Sequence, residues 1–489
     1  MRGNFNIIER RELTYMPRLM ATKSIVAYVV SLLAVSVVFY EYAMPIWLWV
    51  VGVVSILLFF SGSQYLTKIW HNISTKSFAQ KLLLGAFGIR LLYVIFIYFF
   101  NLNHYGTYYE SNAGDITWYV PSGLEMAEQL AEGNWGEVVQ MWMSWDIAIS
   151  DLGYVIYLAV LYLITGSISE VVLPLILKAL YGAITCVLMY RVAQRHFSEH
   201  VARMTAIFCM LQANMIWWCG SMMKETEMIL LFILYLNELD KVLSRGSFKF
   251  QQLLIAIGLG LLLFTFRSAL GIVAFLAMFV SIVLIDGKLV KLWMKIVMGL
   301  IVVVVLGLTY GESLMEITEE TASMVQGDYQ QTNMEWRTRR DGGNSFAKYA
   351  SAVVFAPLIF TIPFPNMVYT FQSQEMQMMV SGGNFVKNIL SFFVIIVLIE
   401  LLLSGSWRKH ILPIALLCGY LVALVLSVFA QSGRFHMPVI PLEMMFAAYG
   451  VSLMHKVPAY KRWYNYVLAL EVVVCIAWGW FKLAGRGWI

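Results

Sequence analysis

Apolar residues fall in long blocks of near-continuous hydrophobicity, and the polar positions gather between the blocks. A helix crossing roughly 30 Å of hydrocarbon needs about 20 mostly apolar residues. On that measure the pattern predicts thirteen spanning helices, near 25–42, 44–61, 82–101, 171–190, 203–220, 226–243, 251–266, 269–286, 292–310, 386–404, 411–430, 437–454 and 463–482. Two apolar stretches fit less well. Gly153–Gly166 is only about 21 Å long as a helix, and counting it as a span inverts the charge pattern of everything after it. It is expected to be an interfacial or re-entrant helix packed on the bundle. Ala350–Pro365 is broken by Pro357, Pro363 and Pro365 and is read in the same way.

Composition sharpens this into a class. Of 489 residues, 60% are hydrophobic and 13% are charged, against about 45–50% and about 25% in soluble domains. The expected fold is all-α, a polytopic membrane protein with about 13 transmembrane helices and interfacial helices in two long outer loops. Cys186, Cys209, Cys219, Cys418 and Cys475 lie in or beside apolar stretches without paired spacing, so neither a disulfide framework nor a zinc site is expected. The basic N-terminal residues and the two adjoining apolar runs suggest a retained anchor.

Charge orients the helices. Arg2, Arg10, Arg11, Arg18 and Lys23 precede the first span, Lys68, Lys76 and Lys81 follow the second, and further basic sets stand at 191–203, 241–249, 288–295, 408–409 and 456–462. These sets hold most of the 34 Lys and Arg and all fall on one side of the thirteen-helix count, which the positive-inside rule makes the cytoplasm. The N-terminus is then cytoplasmic and the C-terminus outside. The expected regions are 1–101 (tail and three spans), 102–170 (first outer loop), 171–310 (central bundle), 311–385 (second outer loop) and 386–489 (C-terminal helices).

The loops hold the candidate chemistry. Leu102–Leu152 carries eight acidic residues and no Lys or Arg. Glu125, Glu128, Glu132 and Glu137 recur at helical spacing and are expected to form a solvated face. Trp118, Tyr119, Trp135, Trp142 and Trp145 suit an aromatic belt at the interface. Asp115 stands among small residues just before an amphipathic helix. It fits a general base for an acceptor hydroxyl, while an N-cap is the plainer reading; Asp146 and Asp151 carry the same two readings. Lys224 with Glu225, Arg267, Lys387, and Arg434 with His436 place single cations at outer positions, against the basic bias of the other side. Cations of this kind suit a phosphate at the membrane surface, while interfacial snorkelling is the plainer reading. Arg337, Arg339 and Arg340 form a loop cluster that fits either an anionic ligand or solvent. Arg90 and Lys178 lie well inside spans and are expected to snorkel or to meet a neighbouring carboxylate. No Walker A sequence and no zinc-binding pattern are present.

Asp115, Tyr119, Ala127 and Gly133 form a D…Y…A…G series ahead of YLAVLYLITGSISE. With MYRVAQRHFSEHVARMTA and SGRFHMPVIPLEMMFAAYG, this order resembles the GT-C superfamily of integral-membrane glycosyltransferases from about Gly85 to Met454. Relatives of this type include the protein O-mannosyltransferases and aminoarabinose transferases, which pass a sugar from a polyprenyl-phosphate carrier to a lipid, glycan or protein acceptor. The resemblance implies a catalytic Asp in the first outer loop, here Asp115; Asp151 is the second catalytic candidate. It implies donor-phosphate contacts at Arg434, with Arg267 and Lys224; Glu225, Tyr119, Arg337 and His436 complete the expected substrate-binding set. It also implies a bacterial inner membrane. No cofactor is called for, a divalent metal is left open, and nucleic acid is not an expected partner. The chain departs from the family pattern in having two additional spans before the first loop and in lacking the adjacent acidic pair of the mannosyltransferases. A glycan polymerase or ligase with a lipid-diphosphate donor is the alternative enzyme, and a lipid or glycan transporter the alternative outside catalysis.

Overall fold

The computed structural model describes residues 14–108, 115–144, 149–165, 171–244, 250–284, 356–369, 377–426, 432–454, 458–485 and 487–489. Arg337, Asp146, Trp145, the expected span at 292–310 and most of the second outer loop lie outside the described residues. The described chain is helical throughout: α1 (Arg18–Val38), α2 (Ile46–Ile69), α3 (Thr75–Tyr105), α4 (Ile116–Ala131), α5 (Trp135–Ser144), α6 (Ile149–Thr165), α7 (Val172–His196), α8 (Glu199–Leu211), α9 (Ala213–Trp217), α10 (Glu225–Ser244), α11 (Phe250–Phe266), α12 (Ser268–Leu284), α13 (Gln377–Leu403), α14 (Ile411–Leu426), α15 (Gly433–His436), α16 (Ile440–Leu453) and α17 (Pro458–Ala484). The only pairing of extended chain among the described residues is an isolated bridge between Ala43 and Val368.

Seven described helices are long and apolar enough to cross a membrane: α1, α2, α3, α7, α13, α17 and the stretch Ser406–Val425 that contains α14. The chain is an all-α, multi-pass membrane protein. Of the thirteen expected spans, the one at 292–310 lies outside the described residues, and those at 251–266, 269–286 and 437–454 correspond to shorter helices. α6, α11, α12 and α16 are apolar but shorter. α16 starts only at Ile440, with Pro441 in its first turn where a missing N–H costs nothing, although the apolar run begins earlier.

The expected span at 203–220 is two helices. α8 ends at Leu211, Gln212 is extended (φ −66°, ψ 115°), and α9 runs only from Ala213 to Trp217. A break in the last turn of a buried helix strands carbonyls that hydrocarbon cannot satisfy. Arg90 of α3 fills that need, its guanidinium donating to the carbonyls of Cys209 at 3.1 Å and Met210 at 3.3 Å. Arg90 is fully buried and donates to carbonyls where a snorkelling tail or a neighbouring carboxylate was expected. On the other side of the break, Gln212 donates to the Gly383 carbonyl at 3.0 Å and Asn214 to Asn384 Oδ1 at 2.8 Å. Gly383 permits that approach, because a Cβ there would stand 2.1 Å from Asn214 Oδ1.

Elsewhere several hydroxyls are satisfied within their own helix. The hydroxyls of Ser31, Ser55, Thr185, Thr205 and Ser281 each donate to the carbonyl four residues back. α3 starts at an N-cap, Ser74 Oγ accepting from the Ser77 amide, and stops at Gly106 in the left-handed region. α3 packs along α7, α13 along α16, α10 against α7 and α11, and α1 along α17. α6 extends from Ile149, four residues before the apolar stretch, and packs on α4 and α11. That packing brings α4 onto the bundle.

Candidate functional site

Helix termini place the candidate charges at one end of the bundle. Asp115 precedes α4, and its carbonyl accepts from the Tyr119 amide at 3.1 Å. It occupies the N-cap position of α4, but its carboxylate makes no capping bond. Asp151 lies in the first turn of α6. Lys224 opens α10, whose first turn carries Glu225 and Glu227, the charge sign that a helix N-terminus favours. Arg267 is the single residue between α11 and α12; its amide bonds back to Leu263 and its carbonyl accepts from Leu270 and Gly271. Arg434 and Phe435 lie in α15.

These residues meet. Glu225 Oε1 accepts from Arg434 Nε and lies 3.3 Å from Arg267 Nη2. Arg434 Nη1 pairs with Asp115 Oδ2 at 2.6 Å. Arg267 also donates to the Tyr420 hydroxyl of α14 at 3.2 Å and stacks 4.4 Å from the Phe435 ring centre. Beside this group, Asp151 Oδ1 accepts from Lys224 Nζ and from the Tyr119 hydroxyl, the latter at 2.6 Å, and Lys224 donates to the Ser150 carbonyl at 2.6 Å. A deeper layer continues below, where Lys178 of α7 pairs with Glu227 at 2.6 Å and lies 5.0 Å from the Tyr154 ring centre. Tyr154 in turn packs edge-on to Tyr119.

Exposure grades the cluster. Glu225 and Arg267 side chains are 0% and 8% exposed, while Arg434, Asp151 and Asp115 reach 21%, 22% and 39%. Burial by itself would raise the Glu225 carboxyl, but the guanidiniums of Arg434 and Arg267 outweigh it and hold the group below its ordinary range. Burial holds the Lys224 ammonium below its ordinary value despite the Asp151 carboxylate. The Tyr119 phenol is pushed far above its usual range, first by burial and then by Asp151, so it stays a hydrogen-bond donor. Glu225 Oε2 is buried and has no hydrogen-bond partner among the described residues.

Asp115, Tyr119, Asp151, Lys224, Glu225, Arg267 and Arg434 therefore form one continuous cluster. Tyr119 is fully buried beneath Asp151 and takes no part in the interfacial belt expected for it. His436 is fully buried at the end of α15 and offers a ligand no exposed atom. Lys387 sits apart from the cluster. It donates to the Phe360 and Ile362 carbonyls and faces Glu443 at 3.4 Å, tying the proline-rich 356–369 segment to α13. Glu125, Glu128, Glu132 and Glu137 are exposed. Sequence reasoning missed Tyr420, which sits in an apolar run without a distinguishing signal, and Phe435, which lies between the two candidates Arg434 and His436. The Lys178–Glu227 pair had one signal, two charges inside apolar segments that call for each other. Among the described residues no three His, Cys, Asp or Glu side chains come together in a way that could hold a metal ion. No protein-family model, curated protein or solved structure matches this chain.

Proposed function

We propose that this chain is a membrane glycosyltransferase that moves a sugar from a polyprenyl-phosphate carrier to an acceptor hydroxyl on the extracytoplasmic face of a bacterial inner membrane. One observation carries the reading. Charged residues from five separate segments converge on a partly exposed cluster in which two guanidiniums share one buried carboxylate, Glu225. Such a carboxylate fixes Arg434 and Arg267 in place, and preorganised cations stabilise the charge that develops on a departing phosphate. Asp115, the most exposed carboxylate of the cluster, serves as general base on the acceptor hydroxyl. Asp151 carries two donors on a single oxygen and acts by holding Lys224 and Tyr119 in position. The acceptor is a lipid, a glycan or a protein, and the roughly thirteen-helix topology with a cytoplasmic N-terminus belongs to the same proposal.

One feature favours a transporter instead. α8–α9 is a discontinuous helix, and such breaks line substrate sites in transporters. Here Arg90, Gln212 and Asn214 spend their donors on carbonyl and amide oxygens around the break, which closes it and favours the enzyme. Mass spectrometry of co-purifying lipids tests the choice. A polyprenyl phosphate or its glycoside bound to the native protein and lost in Arg434→Ala is expected. A polyprenyl diphosphate-oligosaccharide shifts the reading to a polymerase or ligase, and phospholipid alone in both proteins supports the transporter.

A further inference from the structure

The cluster contains three cations, Lys224, Arg267 and Arg434, and three carboxylates, Asp151, Glu225 and Asp115. With all six ionised it is electrically balanced, so a phosphate added to it leaves a net negative charge in a partly buried site. One carboxylate has to give way, and the geometry separates the three. Glu225 is fully buried between two arginines. Asp151 is fixed by Lys224 and Tyr119, and Lys224 is itself held by the Ser150 carbonyl. Asp115 meets a single cation among the described residues, Arg434 Nη1, through a contact at the exposed rim, and no capping bond holds its side chain to α4.

We infer that Asp115 and the donor phosphate compete for Arg434, so that donor binding displaces Asp115 and so releases the base. This rests on the glycosyltransferase reading. The phosphodiester brings one negative charge to Arg434 and one carboxylate leaves it, which preserves the balance of the buried part. The released Asp115 takes the proton of the acceptor hydroxyl as the bond from the sugar C1 to the acceptor oxygen forms and the bond from C1 to the phosphate oxygen breaks. The electron pair of the broken bond stays on the phosphate, which departs as the monoester, and the proton ends on Asp115. Loss of that proton to water restores the carboxylate, whose return to Arg434 expels the product phosphate. The same ion pair thus keeps the base inactive in the empty enzyme and prevents product from occupying the site.

Titration of the full-length protein in detergent with farnesyl phosphate reads the competition directly. Asp115→Asn and Asp115→Ala are expected to bind about tenfold more tightly than the native protein, while Glu137→Gln on the solvated face binds as the native protein does. A second readout needs no substitution at the site: carbodiimide labelling of Asp115 in the native protein, followed by peptide mass spectrometry, is expected to rise when farnesyl phosphate is bound. Unchanged affinity in both Asp115 variants, or labelling that falls on binding, overturns the exchange; if Arg434→Ala still abolishes binding, the glycosyltransferase reading survives. Absence of farnesyl phosphate binding to the native protein, or binding indifferent to Arg434→Ala, overturns that reading and the exchange with it.

Discussion

Arg90 and Arg434 are both arginines removed from bulk water, yet their surroundings differ in kind. Arg90 is fully buried and donates to backbone carbonyls, two of them at the α8–α9 break, and forms no ion pair with a carboxylate among the described residues. Arg434 is partly exposed and shared between two carboxylates on different helices. A cation that completes the hydrogen bonding of a broken helix cannot leave freely, because moving it strands the Cys209 and Met210 carbonyls in a medium without water. A cation held between carboxylates at a surface can trade one anion for another at small net cost. The first arrangement builds the fold, and the second is the one on which the proposed chemistry rests.

Replacing Arg90 by Met breaks the comparison at its structural end and carries the largest expected effect. The Cys209 and Met210 carbonyls lose their partner, and a buried polar group left unsatisfied costs about 1–3 kcal/mol. A loss of about 4 kcal/mol for the pair is expected, read as a lowered thermal midpoint or loss of the monodisperse species in detergent. Whatever protein remains folded should retain its affinity for farnesyl phosphate. A variant with native stability but no phosphate affinity reverses the assignment of the two arginines.

Glu225→Gln tests the other end. The amide neutralises the carboxylate that Arg434 and Arg267 share, and breaking a buried ion pair costs about 3–5 kcal/mol. The lower end of that range is expected, because the amide oxygen still accepts a hydrogen bond. The pH dependence follows from the sign of the shift. The folded protein holds the Glu225 carboxyl below its ordinary value of 4.5, so the ionised form is favoured by folding. That contribution is complete above about pH 4.5 and is lost as the pH falls through the lower folded value. Thermal midpoints measured downward from pH 6 should decline less steeply in Glu225→Gln than in the native protein; parallel curves would remove Glu225 as the carboxylate that fixes the arginines.

How far the sequence reaches into this site follows from the range of each signal. Arg267 and Arg434 stand out because a lone cation at a short outer turn opposes the bias of the basic sets on the other side. Lys224 and Glu225 stand out as charges at the boundary of an apolar run. Tyr119 looks like an interfacial aromatic, since its partner Asp151 lies 32 residues away and nothing in the spacing announces the contact. Tyr420 and Phe435 are invisible for the same reason. The all-helical fold is legible from hydropathy, but its interruptions are less so. A window averaged over 203–220 reads as one span, whereas the break at Gln212 depends on Arg90 and Gly383, which lie more than a hundred residues away on either side.

The smallest effect sharpens the division between the two aspartates. Tyr119→Phe removes one of the two donors on Asp151 Oδ1 and leaves Lys224 in place. A hydrogen bond to a charged group contributes about 1.5–3 kcal/mol, and the low end applies because Asp151 is partly exposed and can recruit water. If Asp151 only positions Lys224, the loss appears as reduced stability with a modest rise in the donor KM, and kcat stays within about threefold of the native value. If Asp151 were the base of the proposed reaction, loss of the Tyr119 donor would change the basicity of the carboxylate itself, and kcat would move with pH in Tyr119→Phe in a way that the native protein does not show. A kcat profile superimposable on that of the native protein leaves Asp115, the carboxylate held by one exposed contact, as the group free to take the proton.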